Sequence, residues 1–376
     1  MELKNIQNRV VSFINLNALE ENFKKIPKPV CCVVKADAYG HGAVEVSKFL
    51  EKLGADYFAV SNIEEAIEIR NAGIKKPIVI LGYSPCDCTK ELALYDIEQC
   101  VYSLEFAKAL NDDAIKNNVK IKIHIKIDTG MGRIGFQYHD LHNELNDALS
   151  SCKLSNLIPY GIFMHFAKAD EGINDFTKKQ YNNFMNAIKY LESNGIKFKI
   201  HHCANSGAIL DYKDYHLDMV RAGVILYGVN PSPLEHHFKY VMSLKSKVSH
   251  VKTIYKGDSV SYNGLFVAKE DTIIATIPVG YADGVSRESA GSYVIINGKK
   301  CTIIGRVCMD QMMVIADKDT KVGDEVTIYG EVISVDDVAK YLKTSPYKIL
   351  CDVSRRVVRA YTYNGEIVAI RDELVR

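Results

Sequence analysis

The chain has 376 residues, and its 47 lysines and arginines against 46 aspartates and glutamates give a formal net charge of +1. This balance gives no electrostatic support for binding nucleic acid or an acidic membrane surface. Hydrophobic residues make up 47% and charged residues 25% of the chain, as in a soluble globular enzyme, and the length predicts two domains.

The N-terminal segment is interrupted by charged residues every few positions. The chain contains no signal-peptide core and no run of 18 apolar residues, so we expect a cytoplasmic protein that does not span a membrane. Its ten cysteines form no CxxC pair and no Cys/His grouping with zinc-ligand spacing. We therefore expect reduced, mostly buried thiols and no metal site.

Strand-like and helix-like segments alternate over roughly the first 230 residues. The predicted strands are Val30–Lys35, Tyr57–Val60, Ile78–Leu81, Gln99–Tyr102, Ile121–Asp128, Ile158–Phe163, Phe198–Cys203 and Met219–Tyr227. Apolar residues recur at helical spacing between them, as in His41–Leu53, Asn62–Ala72, Ser103–Asn117 and Asp175–Asn194. This alternation predicts a TIM-type (β/α)8 barrel. No Gly-rich dinucleotide fingerprint follows the first strand, which counts against a doubly wound sheet.

The pattern changes after the segment Asn230-Pro231-Ser232-Pro233. From Val241 to Tyr329, short alternating strands are separated by turn signals such as Asn297-Gly298. We therefore predict an antiparallel β domain, barrel- or sandwich-like, with a short helix at Asp336–Leu342 near its end. The predicted domains are the barrel, residues 1–233, and the β domain, residues 234–376.

Polar residues lie at the carboxyl ends of the predicted barrel strands, where the active sites of such barrels are found. Lys35 ends an otherwise apolar strand and alone would suit either a snorkelling lysine or a desolvated amine that bonds a carbonyl cofactor. Other strands end near Lys126, Arg133, His165, Ser206 and Arg221, mostly beside glycines. Glycines let backbone N–H groups approach phosphate oxygens, so the pattern favours a phosphate-bearing cofactor.

Eight motifs resemble those of the alanine racemase family in order and spacing, from about Arg9 to Arg359. They are VVKADAYGHG, KIDTGMGRIGF, HFAKAD, HCANSGAIL, RAGVILYG, VSYN, IPVGYADG and GRVCMDQMMV. The resemblance implies a fold-type III enzyme that uses pyridoxal 5'-phosphate to interconvert L-alanine and D-alanine by a two-base mechanism, supplying D-alanine for peptidoglycan. It also implies a homodimer whose active sites are shared between chains.

The same resemblance assigns roles to residues of this chain. Lys35 would bind the cofactor covalently and act on the D-enantiomer, and Tyr262, from a second subunit, would act on the L-enantiomer. The other residues that would contact the cofactor are Tyr39, His165, Asn205, Ser206, Arg221, Gly223 and Val224. Arg221 would face the pyridine nitrogen, which must then be an unprotonated acceptor because arginine carries only donors.

The substrate carboxylate would be held by Arg133 and by the backbone N–H of Met309. Tyr281 and Asp310 would line the entrance, with Cys308 beside them. Lys126 matches a lysine that is carbamylated in some members of the family, where it orients the arginine that corresponds to Arg133.

Two positions depart from the family pattern. Asn263 follows the predicted catalytic tyrosine, where members commonly have glycine, and Arg355 stands where some members have a tyrosine. Both changes are consistent with neutral variation. They are also consistent with altered packing around Tyr262 that admits a more polar side chain such as serine, and Arg355 would offer an extra cation for phosphate.

Other functions stay open on the sequence. One is a serine or broad-specificity racemase for small amino acids. Another is a fold-type III decarboxylase for basic amino acids, although GRVCMDQM stands where its specificity motifs are expected. A barrel-only cofactor carrier would lack the β domain, and a racemase-like regulatory protein would bind without turnover.

Overall fold

A computed structural model describes residues 9–139 and 142–375. The first eight residues, part of the N-terminal segment considered above, lie outside the described residues. The strands are β1 (Val10–Asn15), β2 (Val30–Val33), β3 (Tyr57–Val60), β4 (Ile78–Ile80), β5 (Ile97–Val101), β6 (Ile121–Asp128), β7 (Phe136–His139), β8 (His142–Asn143), β9 (Leu157–Phe163), β10 (Ile200–His202), β11 (Val220–Ala222), β12 (Met242–Lys247), β13 (His250–Ile254), β14 (Ser259–Val260), β15 (Phe266–Val267), β16 (Thr272–Ile277), β17 (Tyr293–Ile296), β18 (Lys299–Ile304), β19 (Met312–Ile315), β20 (Glu325–Tyr329), β21 (Val358–Tyr363) and β22 (Glu366–Arg371).

The α-helices follow from amphipathic segments, several of them capped by Asn or Ser side chains. They are α1 (Leu16–Lys24), α2 (Lys35–Tyr39), α3 (Ala43–Lys52), α4 (Ile63–Asn71), α5 (Thr89–Leu94), α6 (Leu104–Lys116), α7 (Leu145–Cys152), α8 (Asp175–Ser193), α9 (Ser206–Asp211), α10 (Val335–Tyr341) and α11 (Pro346–Cys351). Among the described residues, no helix is long and apolar enough to cross a membrane.

A parallel barrel forms the first part of the fold. Its strands neighbour one another in the order β10-β9-β6-β5-β4-β3-β2-β11. Hydrogen bonds between the segments of β10 and β11, from Asp218 N–H to His201 O (3.1 Å) and from Arg221 N–H to Ala204 O (3.0 Å), close the circle. Apolar runs such as VCCV in β2 and YFAV in β3 are buried on both faces, as expected where helices cover the strands outside. The predicted barrel is confirmed.

Strand ends differ from the prediction at two places that matter for the site. The predicted strand Met219–Tyr227 is wrong in its second half, because the strand ends at Ala222 and Val224–Tyr227 form a 3-10 helix. The backbone turns at Gly223, where the Tyr39 hydroxyl approaches and leaves no room for a side chain. Lys35 likewise lies beyond the end of β2 and begins α2.

A second, mostly antiparallel sheet has the order β13-β16-β19-β18-β17-β20-β12-β1-β21-β22. Strand β1, which was not predicted, pairs antiparallel with β12 and parallel with β21. The predicted β domain after the barrel is confirmed. We propose that the domains meet at the predicted boundary, between residues 233 and 234, with β1 reaching back across it.

Candidate active site

A cavity of about 680 Å³ opens at the carboxyl ends of the barrel strands. Its lining includes ten of the predicted site residues: Lys35, Tyr39, Lys126, Arg133, His165, Asn205, Ser206, Arg221, Gly223 and Val224. The predicted residues of the β domain, Tyr262, Tyr281, Met309 and Asp310, do not line this cavity.

The helix α2, which carries Lys35 and Tyr39, contains a left-handed turn. Residues Ala36 to Tyr39 all have φ of 52° or 53°, a conformation that costs about 1–2 kcal/mol per non-glycine residue. Local hydrogen bonds offset part of this strain. The Ala36 N–H donates to Glu65 and the Ala43 N–H donates to Asp37, both at 2.7 Å.

The β domain also supports this turn. Arg359 of β21, whose side chain is 2% exposed, donates from Nε to the carbonyl of Gly40 at 2.9 Å and lies 3.2 Å from Asp37 Oδ2. Gly40 has φ of +81°, and a Cβ there would lie 2.2 Å from the carbonyl oxygen of Leu350 in α11. Contacts with both domains therefore hold the turn that presents Lys35 and Tyr39.

One corner of the cavity gathers hydrogen-bonding groups of the kind that bind phosphate. The Gly223 N–H donates to Ser206 Oγ at 3.1 Å. A Cβ on Gly223 would lie 2.9 Å from the Tyr39 hydroxyl, so the bare backbone leaves this corner open. Asn205 caps α9 by accepting from the Ala208 N–H at 3.1 Å. Two hydroxyls beside glycine backbone form a fitting cradle for a phosphate group.

Lys35 lines the same cavity, and the pKa of its amine is shifted. Burial lowers the pKa of Lys35 below the usual lysine value, and the nearby Arg133 cation lowers it further. A neutral amine is the form that bonds a carbonyl carbon.

Arg221 of β11 lies on the cavity wall with its guanidinium almost fully hydrogen-bonded. Its Nη1 atom donates to the carbonyl of His202 at 2.9 Å, and its Nη2 atom donates to the carbonyls of Met164 (2.8 Å) and Cys203 (3.0 Å). His165 Nδ1 lies 3.4 Å from Nη2, and burial together with this cation keeps the pKa of His165 well below its usual range. Among the described residues Arg221 Nε has no partner, so it is the donor left for a ligand.

Lys126 of β6 is buried beneath the same cavity. Within the described residues its Nζ atom has no hydrogen-bond partner, and it lies 4.7 Å from the centre of the Phe163 ring. Burial, with a smaller contribution from the Arg221 cation, lowers the pKa of Lys126 to about 7. An appreciable fraction of this amine is therefore neutral at neutral pH.

Asp128, which the sequence analysis did not select, organises the loop of Arg133. Its Oδ1 atom accepts from the N–H groups of Gly130 (2.9 Å), Met131 (2.8 Å) and Gly132 (3.1 Å), and Oδ2 accepts from the Arg133 N–H at 3.1 Å. An aspartate just before a glycine-rich turn is the sequence signal that could have identified this role.

Two further lining residues, Tyr347 and Cys351, come from α11 and were also missed. They lie far along the chain from the barrel, and α11 reaches the cavity only because it packs on α2. No local pattern predicts such a contact.

Tyr262 and Met309 are exposed, with 64% and 52% of their surface accessible. The residues that flank Tyr262, Ser261 and Asn263, both have positive φ, 66° and 62°. Strained backbone of this kind is concentrated at functional sites. Asparagine adopts such a conformation more readily than most residues, so Asn263 fits where the family commonly has glycine.

Arg355 does not reach the cavity. Its side chain is 74% exposed and its Nε atom pairs with Glu373. The neighbouring Arg356 instead binds Asp283 (2.8 Å) and Asp310 (2.6 Å). Within its own chain Arg355 therefore adds no cation to the phosphate corner, and its effect on a shared site stays a prediction.

Comparison with known proteins identifies the family of this chain. Residues 14–231 match the alanine racemase N-terminal domain, and residues 241–361 match the alanine racemase C-terminal domain. The chain belongs to the alanine racemase family. As a member of this family it is an isomerase, a racemase, and the predicted resemblance is confirmed.

Among the alanine racemases it resembles, alanine racemase 1 of Caldanaerobacter subterraneus subsp. tengcongensis is 42% identical, with 94% of each chain covered. The alanine racemase of Clostridium tetani is 42% identical over 96% of this chain and 97% of its own. The solved alanine racemase of Clostridium difficile 630 superposes with a TM-score of 0.93 at 41% identity, covering 99% of this chain and 100% of that one. That of Bacillus anthracis with bound L-Ala-P gives 0.92 at 35% identity, covering 98% and 99%.

Proposed function

We propose that this protein interconverts L-alanine and D-alanine with pyridoxal 5'-phosphate, and that it supplies D-alanine for peptidoglycan. The observation that carries the proposal is one cavity lined by Lys35, whose pKa is lowered by burial, by a phosphate-type cradle and by Arg221, whose Nε has no partner among the described residues.

The residues of the cavity fit the cofactor. Tyr39, Ser206 and the backbone at Gly223 and Val224 would hold its phosphate, and Lys35 would bond its carbonyl carbon. When bound, the cofactor supplies an electron-withdrawing group that acidifies the α-hydrogen of the amino acid.

Arg221 would face the ring nitrogen through Nε, since its other two nitrogens are already occupied by carbonyls. A guanidinium stays protonated and only donates, so it holds the ring nitrogen as an acceptor. This arrangement limits the electron withdrawal and disfavours side reactions such as transamination.

Inversion requires one group to take the α-proton from one face and another to return a proton to the opposite face. Lys35 would serve the D-face. Tyr262 would serve the L-face of the partner's cavity, because it lies exposed on the β domain and does not line the site cavity of its own chain.

A homodimer with shared sites accounts for this exposure. Large apolar or aromatic side chains near Tyr262 on the β domain are also exposed, namely Leu265 (58%), Val267 (52%) and Met309 (52%). Exposed apolar residues grouped in this way mark interaction surfaces. Tyr281 and Asp310 would line the entrance of the shared site.

The substrate carboxylate would be bound by Arg133, which lines the cavity on the loop organised by Asp128. The backbone N–H of Met309 from the partner chain would provide a second donor. Arg133 is a bidentate donor for a carboxylate, so this pair orients the α-carbon between the two bases.

Chiral chromatography tests the proposal. Purified protein with cofactor is incubated with a panel of single L- or D-amino acids, and Lys35→Ala is the matched control. Racemic alanine as the fastest product supports the proposal. Faster racemisation of serine, formation of an amine by decarboxylation, or no product from any amino acid would each contradict it.

A further inference from the structure

A line of buried polar side chains runs behind Arg221 through the barrel interior. His202 Nδ1 lies 3.1 Å from Arg221 Nη1, and His202 Nε2 lies 2.9 Å from His124 Nδ1. His124 Nε2 lies 2.7 Å from Glu98 Oε2, which also accepts from the Tyr57 hydroxyl at 2.8 Å. None of these four side chains, of which only His202 contacts Arg221, lines the cavity, so the reaction described above does not use them directly.

The proton positions in this line follow from the chemistry of its two ends. Arginine has only donors, so His202 Nδ1 must accept and the proton of the neutral ring must lie on Nε2. That proton points to His124 Nδ1, which must therefore accept, and the His124 proton lies on Nε2. This second proton points to Glu98, and a carboxylate is the acceptor that completes the sequence.

The surroundings keep both imidazoles in place. Burial and the Arg221 cation hold the pKa of His202 well below its usual range, which agrees with a neutral ring. The His202 ring stacks on Phe163 with ring centres 4.9 Å apart and planes at 8°. A Cβ on Gly161 of β9 would lie 2.2 Å from His124 Nδ1, so the barrel wall leaves space for this ring only because residue 161 is glycine.

The line joins two buried groups of opposite charge, the Glu98 carboxylate and the Arg221 guanidinium. The side chains of Glu98 and His124 are 2% and 0% exposed, and Arg221 is 3% exposed. An isolated buried charge is costly, whereas opposite charges joined through hydrogen bonds compensate each other. We propose that Glu98, His124 and His202 form a one-directional hydrogen-bond relay that supplies the counter-charge of Arg221 and fixes its guanidinium at the cavity wall.

The consequence for the reaction rests on the proposed function. Held between the relay and three backbone carbonyls, Arg221 presents only Nε to the cofactor and remains a donor. Glu98, His124 and His202 are thus positioning residues, which act through Arg221 and touch neither cofactor nor substrate.

The first test needs no activity. Nitrogen-15 NMR of histidine-labelled protein, with and without cofactor, reports which ring nitrogen carries the proton. The relay requires Nε2–H on both His124 and His202, with Nδ1 unprotonated. A proton on Nδ1 of either ring, or a doubly protonated ring, overturns the relay whether or not the protein racemises alanine.

The second test is the variant Glu98→Gln, which keeps the shape and removes the charge. We expect kcat for alanine to fall about 10- to 100-fold, as for other residues that orient a reacting group through a partner. KM should be unchanged because the relay does not line the cavity. A kcat within about twofold of the original, or a loss that appears in KM, contradicts the proposal.

Tyr57→Phe is the matched control, because it removes a hydrogen bond to the same carboxylate but keeps the charge. It should retain the Nε2–H pattern and most of kcat, and a loss equal to that of Glu98→Gln would refute a role for charge. If Glu98→Gln does not fold, the NMR pattern of the unaltered protein still decides whether the relay exists.

Discussion

The guanidinium of Arg359 and the carboxylate of Asp37 meet across the two domains, with 3.2 Å between Nη2 and Oδ2. Arg359 belongs to β21, near the end of the chain, and Asp37 lies in the left-handed turn that follows β2. The pair thus couples the β domain to the segment that presents Lys35 and Tyr39.

Replacing this arginine by methionine, Arg359→Met, should lower the free energy of unfolding by about 1–3 kcal/mol, since buried acceptors lose their donor. It should also weaken cofactor retention, because the strained turn loses a support. Urea unfolding and absorbance of the bound cofactor measure the two effects. Arg355→Met is the control, because Arg355 forms an exposed ion pair with Glu373 and should change neither. Equal effects of the two variants would contradict the role of Arg359.

Lys126 should react with carbon dioxide to form a carbamate, releasing one proton as the N–C bond forms. Its pKa of about 7 leaves neutral amine available, and the resulting anion would face the Arg133 cation. Carbon-13 NMR with labelled bicarbonate should show one protein-bound signal that disappears in Lys126→Met and weakens below about pH 7. Lys122→Met, which alters an outward lysine of the same strand, should keep the signal.

The same lysine predicts a pH dependence of stability without bicarbonate. Its folded pKa, lowered from 10.5 to about 7, means that the unfolded chain binds more protons between these values. Stability should therefore rise with pH across this window, and the cost of burying the amine is fully present below it. Urea unfolding at about pH 7 and about pH 10 should show a smaller rise for Lys126→Met than for the original protein. Identical pH profiles would contradict the assignment.

Tyr262→Phe should affect the two faces of the substrate unequally. Deuterium should still enter D-alanine through Lys35, whereas exchange into L-alanine should fall by about 10²–10⁴-fold, the usual contribution of one general base. Net racemisation should fall equally in both directions, since a catalyst does not move the equilibrium. Mass spectrometry of each enantiomer measures the exchange, and Tyr255→Phe, another exposed tyrosine of the β domain, is the control. Equal loss of exchange from both enantiomers would show that one residue serves both faces.

Mixing inactive Lys35→Ala and Tyr262→Phe chains should restore activity if the sites are shared. Half of the dimers formed by random exchange contain both variants, and one of their two sites has both bases, which predicts about a quarter of the original activity. Adding the double variant to Lys35→Ala chains should restore nothing. Activity that stays at the background level in the first mixture would place both bases in one chain.

Asp128→Asn should raise KM for alanine by about tenfold, because an amide cannot accept from four backbone N–H groups as the carboxylate does and the Arg133 loop loses its anchor. The effect on kcat should be smaller. Steady-state kinetics separates the two constants. Asp96→Asn changes an exposed aspartate paired with Lys122 and should leave both unchanged.

Local sequence predicted the barrel well. Strands that are covered on both faces are short apolar runs, and such runs can be found in the sequence without knowing how the strands pair. Tyr57–Val60 and Ile121–Asp128 were predicted with the bounds that the structure has. Other features depend on distant partners. The left-handed turn after Lys35 is contacted by Arg359, 324 positions later, and β1 is a strand that pairs with β12 and β21. No local propensity reports such contacts.

The residues of the site also fall into two groups, those that local sequence could identify and those that depend on distant contacts. Residues at strand ends, such as Ser206 and Arg221, could be selected because barrel geometry brings strand ends together. The relay behind Arg221 could not, since His124 and His202 lie on β6 and β10 and meet only inside the closed barrel. The roles of Tyr262 and Met309 stay predictions, based on the family resemblance.

The pairing of β1 with β12 has a consequence for how this protein can be divided. The Asn15 N–H donates to Val241 O at 2.8 Å. The chain therefore passes from the β sheet into the barrel, and returns from the barrel to the sheet, at two neighbouring positions. Dividing the chain at residue 233 would therefore separate β1 from β12 and β21, the two strands with which it pairs. Excising residues 16–241 and bridging the gap with a short turn would instead leave the sheet continuous, and a circular permutant opened elsewhere would preserve both parts.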